Sequence, residues 1–346
     1  MAYELFAQCL RFHGIDVVAF SRRLYRKVKG IKERYLGGSL HALLIEMLRG
    51  NAILARVDSS VRCIPISFSY GVTLCIEHAR GHALTHYLAL SSSELSKTGM
   101  QVKPLDLYKC FGFLERVPPY IVLDLSLWEL HTEAERGEAY KQVAVLMDTV
   151  SRYLTDRHVL LVNPPRVLVK RLHREFGYRP QVIRCVNGEC ERNIELKTLV
   201  LDPYSDVVLS DSAVLEYDAF VIGAVIDDKV PRPYATSLIR RVNWSNAPSA
   251  RIELWGSRVG VPNRVNKIAE IILKARMTRI DLEDAVLSSM SKSDRLTRLY
   301  KEAYSIYSRF NQVPASYIRK LCSMLKLSVE DCLDYLRARG IPIQEE

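Results

Sequence analysis

Apolar residues follow three different rhythms along the 346-residue chain. Up to about residue 116, helical spacing mixes with short β-branched runs. Leu40, Leu43, Leu44, Met47 and Leu48 fall on one helix face, which Ser39 is placed to cap and Gly50-Asn51 to end. Residues 52–57 and 61–67 read as strands. From Pro118-Pro119 to about Met277, strand-length apolar runs (120–123, 158–162, 206–209, 219–226 and 250–255) alternate with helical stretches (133–153, 165–176, 233–242 and 262–276). Buried runs alternating with helices predict a mostly parallel sheet covered on both faces, with ligands at the carboxyl ends of its strands. From about Thr278 the chain reads as helix only. Ile318, Leu321, Cys322 and Leu325 form one stripe, and Val329, Cys332, Leu333 and Leu336 another. Ser328 and Asp331 make a capping box between them, and Gly340 closes the second helix. A DNA-reading helix-turn-helix and a plain helical hairpin both fit that pattern. The expected division is an α/β N-terminal module over 1–116, an α/β domain over 117–277 and a small helical domain over 278–346.

Charge narrows the function. Forty-nine Lys and Arg against thirty-nine Asp and Glu give a net charge of +10, a field that attracts polyanions. Arg22, Arg23, Arg26, Lys27, Lys29, Lys32 and Arg34 are interleaved with Tyr25 and Tyr35, which suits phosphate contact with base stacking as well as it suits a solvated helix face. No apolar run reaches the roughly 20 residues of a membrane span, and the N-terminus lacks a secretion signal, so a cytoplasmic protein with no membrane partner is expected.

The eight cysteines contain no C-x-x-C pair, which argues against a structural zinc, and no metal site is expected. Cys185 and Cys190 flank a segment with Asn187-Gly188 at its centre, a hairpin signal that would set them opposite each other. A disulfide and two reduced thiols are both compatible with that placement. The chain has no phosphate loop, no dinucleotide fingerprint, no nucleophile elbow and no H-E-x-x-H helix. One local constellation remains. The run Ala219-Phe220-Val221-Ile222-Gly223-Ala224-Val225-Ile226 ends abruptly in Asp227-Asp228-Lys229, and Gly223 within it suggests close approach by a ligand or another segment. The two acids would serve as a base or cation site, or as a solvated turn.

Read together, residues 120–276 resemble the tRNA position-nine N1-purine methyltransferases, a branch of the SPOUT class. Ile121-Val122-Leu123-Asp124-Leu125-Ser126 is similar to the family's first strand, and Gln142 stands at a characteristic glutamine. Val207-Val208-Leu209-Ser210 looks like the strand ending in a Leu-Ser/Thr turn. Phe220-Val221-Ile222-Gly223-Ala224-Val225-Ile226-Asp227 resembles the family's I-I-G-G-L-V-D segment, with Ala224 at the second glycine and Asp228 as an added acid. Arg251-Ile252-Glu253-Leu254 and the helix from Val265 complete the ordered set. Archaeal members are similar in carrying an extra N-terminal α/β module and a helical C-terminal piece.

The resemblance implies a SPOUT-like parallel sheet with a C-terminal trefoil knot, acting as a monomer. It implies S-adenosyl-L-methionine as cofactor, bound by Leu209, Ser210, Gly223, Ile226, Leu254, Gly260, Val265, Asn266 and Ile268, with Pro262 in the first turn of the last helix. It makes tRNA the partner, with Arg232, Arg240 and Arg241 near the cavity joining the Arg22–Arg34 stretch as RNA contacts. It assigns Asp227 the catalytic role. Guanine N1 must lose a proton, whereas adenine N1 presents a lone pair and gives a cationic product, so an aspartate serves either base. A SPOUT enzyme acting on another RNA such as ribosomal RNA, and a non-catalytic RNA-binding protein, are the alternatives. The lack of an obvious arginine in the first knot-region loop argues against ribose chemistry.

Overall fold

The computed structural model describes residues 1–95, 102–114, 116–186, 189–190, 196–225, 232 and 234–344. Contacts divide the chain into two compact units, Met1–Leu123 with Met147–Arg184, and Asp124–Leu146 with Cys185–Glu346.

The first unit opens with α1 (Ala2–Phe12), β1 (Val17–Phe20), α2 (Arg22–Ile31) and α3 (Gly38–Leu48). Then come β2 (Ala52–Ser69), β3 (Val72–Glu77), β4 (Ala83–Ser91), β5 (Val102–Pro104) and α4 (Tyr108–Leu114). The five strands run in the order β3-β1-β4-β2-β5, and β3 also pairs with β2, so four of them close on themselves. Phe6, Leu10, Phe20, Leu43 and Leu74 pack into the core beneath the helices. The two strand predictions over 52–67 merge into the single strand β2, whose register shifts between Arg56 and Val61. Ser39 lies inside α3 rather than capping it, because the N-cap is Gly37, two residues earlier. α2 holds Leu24 and Val28 inward and turns Arg22, Arg23, Arg26 and Lys29 to solvent. Its Lys27 pairs with the buried Glu46 of α3, and Lys32 and Arg34 follow in a 3-10 turn.

The same unit contains most of β6 (Tyr120–Asp124), the last third of α5 (Glu133–Tyr153), β7 (Val159–Val162), α6 (Arg166–Phe176) and β8 (Gln181–Ile183). β6 neighbours β7, and β7 pairs in parallel with β8. Two histidines are wholly buried here. His41 Nε2 donates to the Leu154 carbonyl at 2.5 Å, and its Nδ1 accepts from Gly37 N. His158 Nε2 donates to the Val117 carbonyl at 3.0 Å, while its Nδ1 meets Thr155 Oγ1 at 2.8 Å. Burial holds both rings near pKa 4, so they are neutral at physiological pH.

Beside Asp124–Leu146, which includes the first two-thirds of α5, the second unit contains β9 (Cys185–Val186) and β10 (Glu189–Cys190), antiparallel with Cys190 opposite Cys185. Its elements continue with β11 (Thr198–Leu201), α7 (Asp211–Glu216), β12 (Ala219–Gly223), α8 (Ala235–Asn243), β13 (Ser249–Ala250) and α9 (Val265–Thr278). β11 pairs in parallel with β12 on one side and β13 on the other, which gives the parallel α/β sheet the apolar rhythm predicts. Residues 206–209 form no strand; only Val208 makes an isolated bridge, to Arg251. The strand at that stage of the chain is β11, eight residues earlier. α9 begins at Val265 behind Arg264, so Pro262 precedes the helix instead of occupying its first turn.

After residue 278 follow α10 (Leu282–Ser289), α11 (Lys292–Phe310), α12 (Ala315–Met324) and α13 (Val329–Arg337). Ser328 Oγ accepts from Asp331 N as the helix-cap pattern requires. This region is not helix alone, because β14 (Val313–Pro314) and β15 (Ile343–Gln344) pair in parallel. All eight cysteines are joined: Cys9–Cys110, Cys63–Cys75, Cys185–Cys190 and Cys322–Cys332. Among the described residues no helix is long and apolar enough to cross a membrane.

Candidate functional site

The carboxyl ends of three parallel strands in the second unit open onto one cavity of about 300 Å³. Leu201-Asp202-Pro203-Tyr204 leave β11, Ile222, Gly223 and Val225 leave β12, and Ala250-Arg251-Ile252 leave β13. Ala235 and Thr236 at the start of α8, Ile268 of α9 and the loop from Arg258 to Asn263 complete the wall. Parallel strands splay their carboxyl ends, and the helices that return from them leave a crevice there.

Gly223 is where α8 comes closest. A Cβ at this position would lie 2.9 Å from Thr236 Oγ1 and 3.2 Å from Ile239 Cδ1. The close approach predicted for this glycine is therefore made by a neighbouring helix. The far end of α8 is tied to the acid that ends β6. Asp124 is fully buried, and its Oδ2 accepts from Asn243 Nδ2 at 2.9 Å and from Trp244 Nε1 at 2.8 Å, while Oδ1 accepts from Ser126 N. Asn243 Nδ2 also donates to Ser126 Oγ. The Ala224 amide donates to the Asp124 carbonyl at 2.9 Å. Asp124 and Ser126 thus fix α8 and the end of β12 together.

The polar part of the wall centres on Asp202, 2% exposed. Its Oδ2 accepts from Ser237 Oγ at 2.6 Å and its Oδ1 from Tyr204 N at 3.0 Å. The Tyr204 and Tyr234 rings lie 4.4 Å apart, and the Arg258 guanidinium sits 4.9 Å above Tyr204. Arg232 also lines the cavity but is engaged: it grips Glu135 through two parallel bonds of 3.0 and 2.9 Å and donates to the Leu130 carbonyl. That guanidinium, with the Thr132 amide, holds the Glu135 carboxyl down at about 2. A second, more open cavity of about 730 Å³ shares Asp202, Tyr204 and Tyr234 and adds Leu238, Arg240 and Arg241 of α8. Tyr204 and Tyr234 are 45% and 60% exposed, so aromatic faces stand at the junction of the two cavities beside arginines.

Of the residues expected to hold a cofactor, Gly223 and Ile268 line the smaller cavity. Leu209 is buried with its amide on the Arg251 carbonyl, and Ser210 caps α7 by accepting from Ala213 N. Leu254 is buried and pairs with Ser257 through the backbone. Gly260 packs against α11, Val265 is buried at the start of α9, and Asn266 follows it half-buried. Ile226 and Asp227 lie outside the described residues. Gln142 is half-buried on α5. The sequence reading overlooked Leu201 to Tyr204, although Thr198-Leu199-Val200-Leu201 before an Asp-Pro turn is itself a strand signal.

This arrangement of parallel strands is found in solved structures of Trm10. The chain superposes on the crystal structure of Sulfolobus acidocaldarius Trm10 in complex with S-adenosylhomocysteine with a TM-score of 0.67, over 97% of this chain and 98% of that one, at 23% identity. A second crystal structure of the same protein at 2.1 Å resolution gives a TM-score of 0.56 over 83% of this chain, at 24% identity. In sequence, the chain is similar to the tRNA (adenine(9)-N1)-methyltransferase of Sulfolobus acidocaldarius, 31% identical over 181 residues, which are 52% of this chain and 58% of that protein. It is also 26% identical over 235 residues to the tRNA (guanine(9)-/adenine(9)-N1)-methyltransferase of Thermococcus kodakarensis, 64% of this chain and 63% of the relative. The matches thus span about three-fifths of the length of these curated relatives. No family profile matches the chain. The chain resembles the tRNA position-nine N1-methyltransferases in sequence, as its motifs indicate, and shares a Trm10 fold.

Proposed function

We propose that this chain transfers a methyl group from S-adenosyl-L-methionine to N1 of the purine at position nine of tRNA, as a monomer with the knotted SPOUT topology. The observation that carries the reading is the cavity at the ends of β11, β12 and β13, in a fold shared almost end to end with an S-adenosylhomocysteine-bound Trm10.

The cavity fits the cofactor chemically. Leu201, Ile222, Val225, Val261 and Pro262 offer apolar walls for a purine ring, and Asp202, Tyr204, Thr236 and Asn263 offer polar groups for the ribose and amino-acid ends. When bound, the sulfonium supplies an electrophilic methyl group. The residues around it orient the acceptor nitrogen, since an in-line approach of about 3 to 3.5 Å is required, and keep water away. Asp227, two positions beyond the cavity residue Val225 in the chain, takes the N1 proton of guanine or offsets the charge of N1-methyladenine.

Position nine lies in the tRNA core, so its base must be exposed at a cost of a few kcal/mol. The open cavity beside Tyr204, Tyr234, Arg240 and Arg241 offers stacking faces and cations for that RNA segment. Arg22, Arg23, Arg26, Lys29 and Arg34, all exposed, supply phosphate contacts. The test is S-adenosylhomocysteine binding by calorimetry, followed by methyl transfer to an unmodified tRNA transcript. One cofactor site and transfer to tRNA are expected; transfer to a ribosomal RNA fragment but not to tRNA would overturn the substrate.

A further inference from the structure

The helices beyond residue 278 have no task in the proposed reaction, yet one of their side chains grips the loop that carries part of the cavity wall. Arg298 of α11 is 0% exposed, and its guanidinium faces the loop that leads from Leu254 to α9. Nη1 donates to the carbonyls of Ser257 at 3.2 Å and Val259 at 3.1 Å, and Nη2 to that of Trp255 at 3.3 Å. Glu302, one turn further along α11, pairs with Nη2 at 2.7 Å. The guanidinium carbon also lies 5.3 Å from the centre of the Trp255 ring. One side chain thus gathers three carbonyls of a single loop.

That loop has little reason to hold its shape alone. Trp255, Gly256 and Gly260 sit in the left-handed region, at φ of 49°, 70° and 80°. A bulky residue such as Trp255 adopts that conformation only when its surroundings impose it. Gly260 comes against α11 so closely that a Cβ would lie 2.8 Å from Arg298 Cβ and 2.9 Å from the Asp294 carbonyl. Arg258, Val261, Pro262 and Asn263, within or just after this stretch, line the smaller cavity.

We propose that Arg298 is a positioning residue for the methyl-donor cavity: its planar fork fixes the 255–261 loop in the shape that forms one cavity wall, which makes α11 a working part of the site. The inference rests on the cofactor reading above. A guanidinium can reach three carbonyls and a carboxylate at once, whereas a lysine ammonium keeps the charge toward Glu302 without the fork. Arg298→Lys and Arg298→Met attack the contact from the helix, and Gly260→Ala attacks it from the loop, so the test survives if one variant fails to fold.

The experiment is calorimetry of the full chain with S-adenosylhomocysteine, with thermal melting as the check on folding and steady-state methyl transfer to tRNA alongside. In folded variants the dissociation constant is expected to rise roughly tenfold or more, as lost preorganisation of a binding loop would cause. The KM for S-adenosyl-L-methionine should rise in step, kcat at saturating cofactor should change little, and Arg298→Lys should fall between the parent and Arg298→Met. A purely structural arginine would lower the melting temperature and leave the affinity of the folded protein alone. Folded Arg298→Lys and Gly260→Ala proteins that bind with the parent affinity would overturn the proposal. No binding by the unaltered chain would instead overturn the cofactor reading, and this inference with it.

Discussion

At the scale of single residues, the cavity depends on side chains whose size or partner is fixed by a neighbour. Gly223 has room for no Cβ because Thr236 and Ile239 of α8 are already there. A Gly223→Val protein is expected to push α8 off the end of β12, with a stability loss of about 1–3 kcal/mol from overpacking and with cofactor affinity lost along with it. Chemical denaturation and calorimetry on the same preparation would check both. Asp227 calls for a different experiment. Asp227→Asn should keep cofactor affinity and slow methyl transfer, with the larger effect on a guanine substrate, which must lose a proton. Unchanged turnover on both bases would remove Asp227 from the reaction. The Arg232–Glu135 pair is expected to persist well into acid. Its carboxyl is held at about 2 against a usual value near 4.5, so its contribution to stability is complete above 4.5 and is lost as the pH falls toward 2.

At the scale of elements, the two neutral histidines set an acid limit on the first unit. His41 and His158 each accept at Nδ1, so protonation would point a new N–H at a group that already donates or must rearrange. Because their folded pKa values lie near 4, below the ordinary 6.5, the unfolded chain takes up protons first as the pH drops. Stability should therefore be full above about 6.5 and decline from there through 4, a loss that His41→Gln or His158→Gln should reduce in urea melts at pH 5 relative to pH 7.5. The apolar rhythm made α3, α5, α6, α8 and α9 and the strands β2, β6, β7, β12 and β13 legible, but not α1, α4, α7 or the strands β1, β3, β4, β5, β8 and β11; α5 spans the predicted 133–153 because its periodicity is long and uninterrupted. The exchange of 206–209 for β11 has a physical cause. Val207-Val208-Leu209-Ser210 and Leu199-Val200-Leu201-Asp202 carry nearly the same local pattern. What separates them is pairing: β11 hydrogen-bonds to both β12 and β13, contacts remote in sequence that no local pattern contains. Leu209 and Ser210 are not among the residues that line the smaller cavity, whereas Gly223 and Ile268 are. Arg298 was illegible for the same reason, since its significance depends on a loop some forty residues away.

For the whole molecule, charge and cross-links are the global variables. With a net charge of +10 and exposed cations along α2, RNA binding should weaken steeply with salt. Replacing Arg22, Arg23 and Arg26 by glutamate should lower tRNA affinity and flatten that salt dependence, and an unaltered slope would take α2 out of the RNA surface. Four disulfides consume all eight cysteines, so the unfolded, unreduced chain should show no titratable thiol. Cys9–Cys110 closes by far the longest loop, 101 residues, for which the chain-entropy account gives about 4–5 kcal/mol. Cys9→Ser should therefore lower the melting temperature more than Cys322→Ser, whose loop is 10 residues. The central claim is tested most directly by incubating the protein with labelled S-adenosyl-L-methionine and transcripts that differ only in carrying A, G or U at position nine, then analysing the nucleosides. The account predicts N1-methyladenosine or N1-methylguanosine from position nine and no label in the U9 transcript. Label that persists in U9, or that maps elsewhere in all three RNAs, would contradict it.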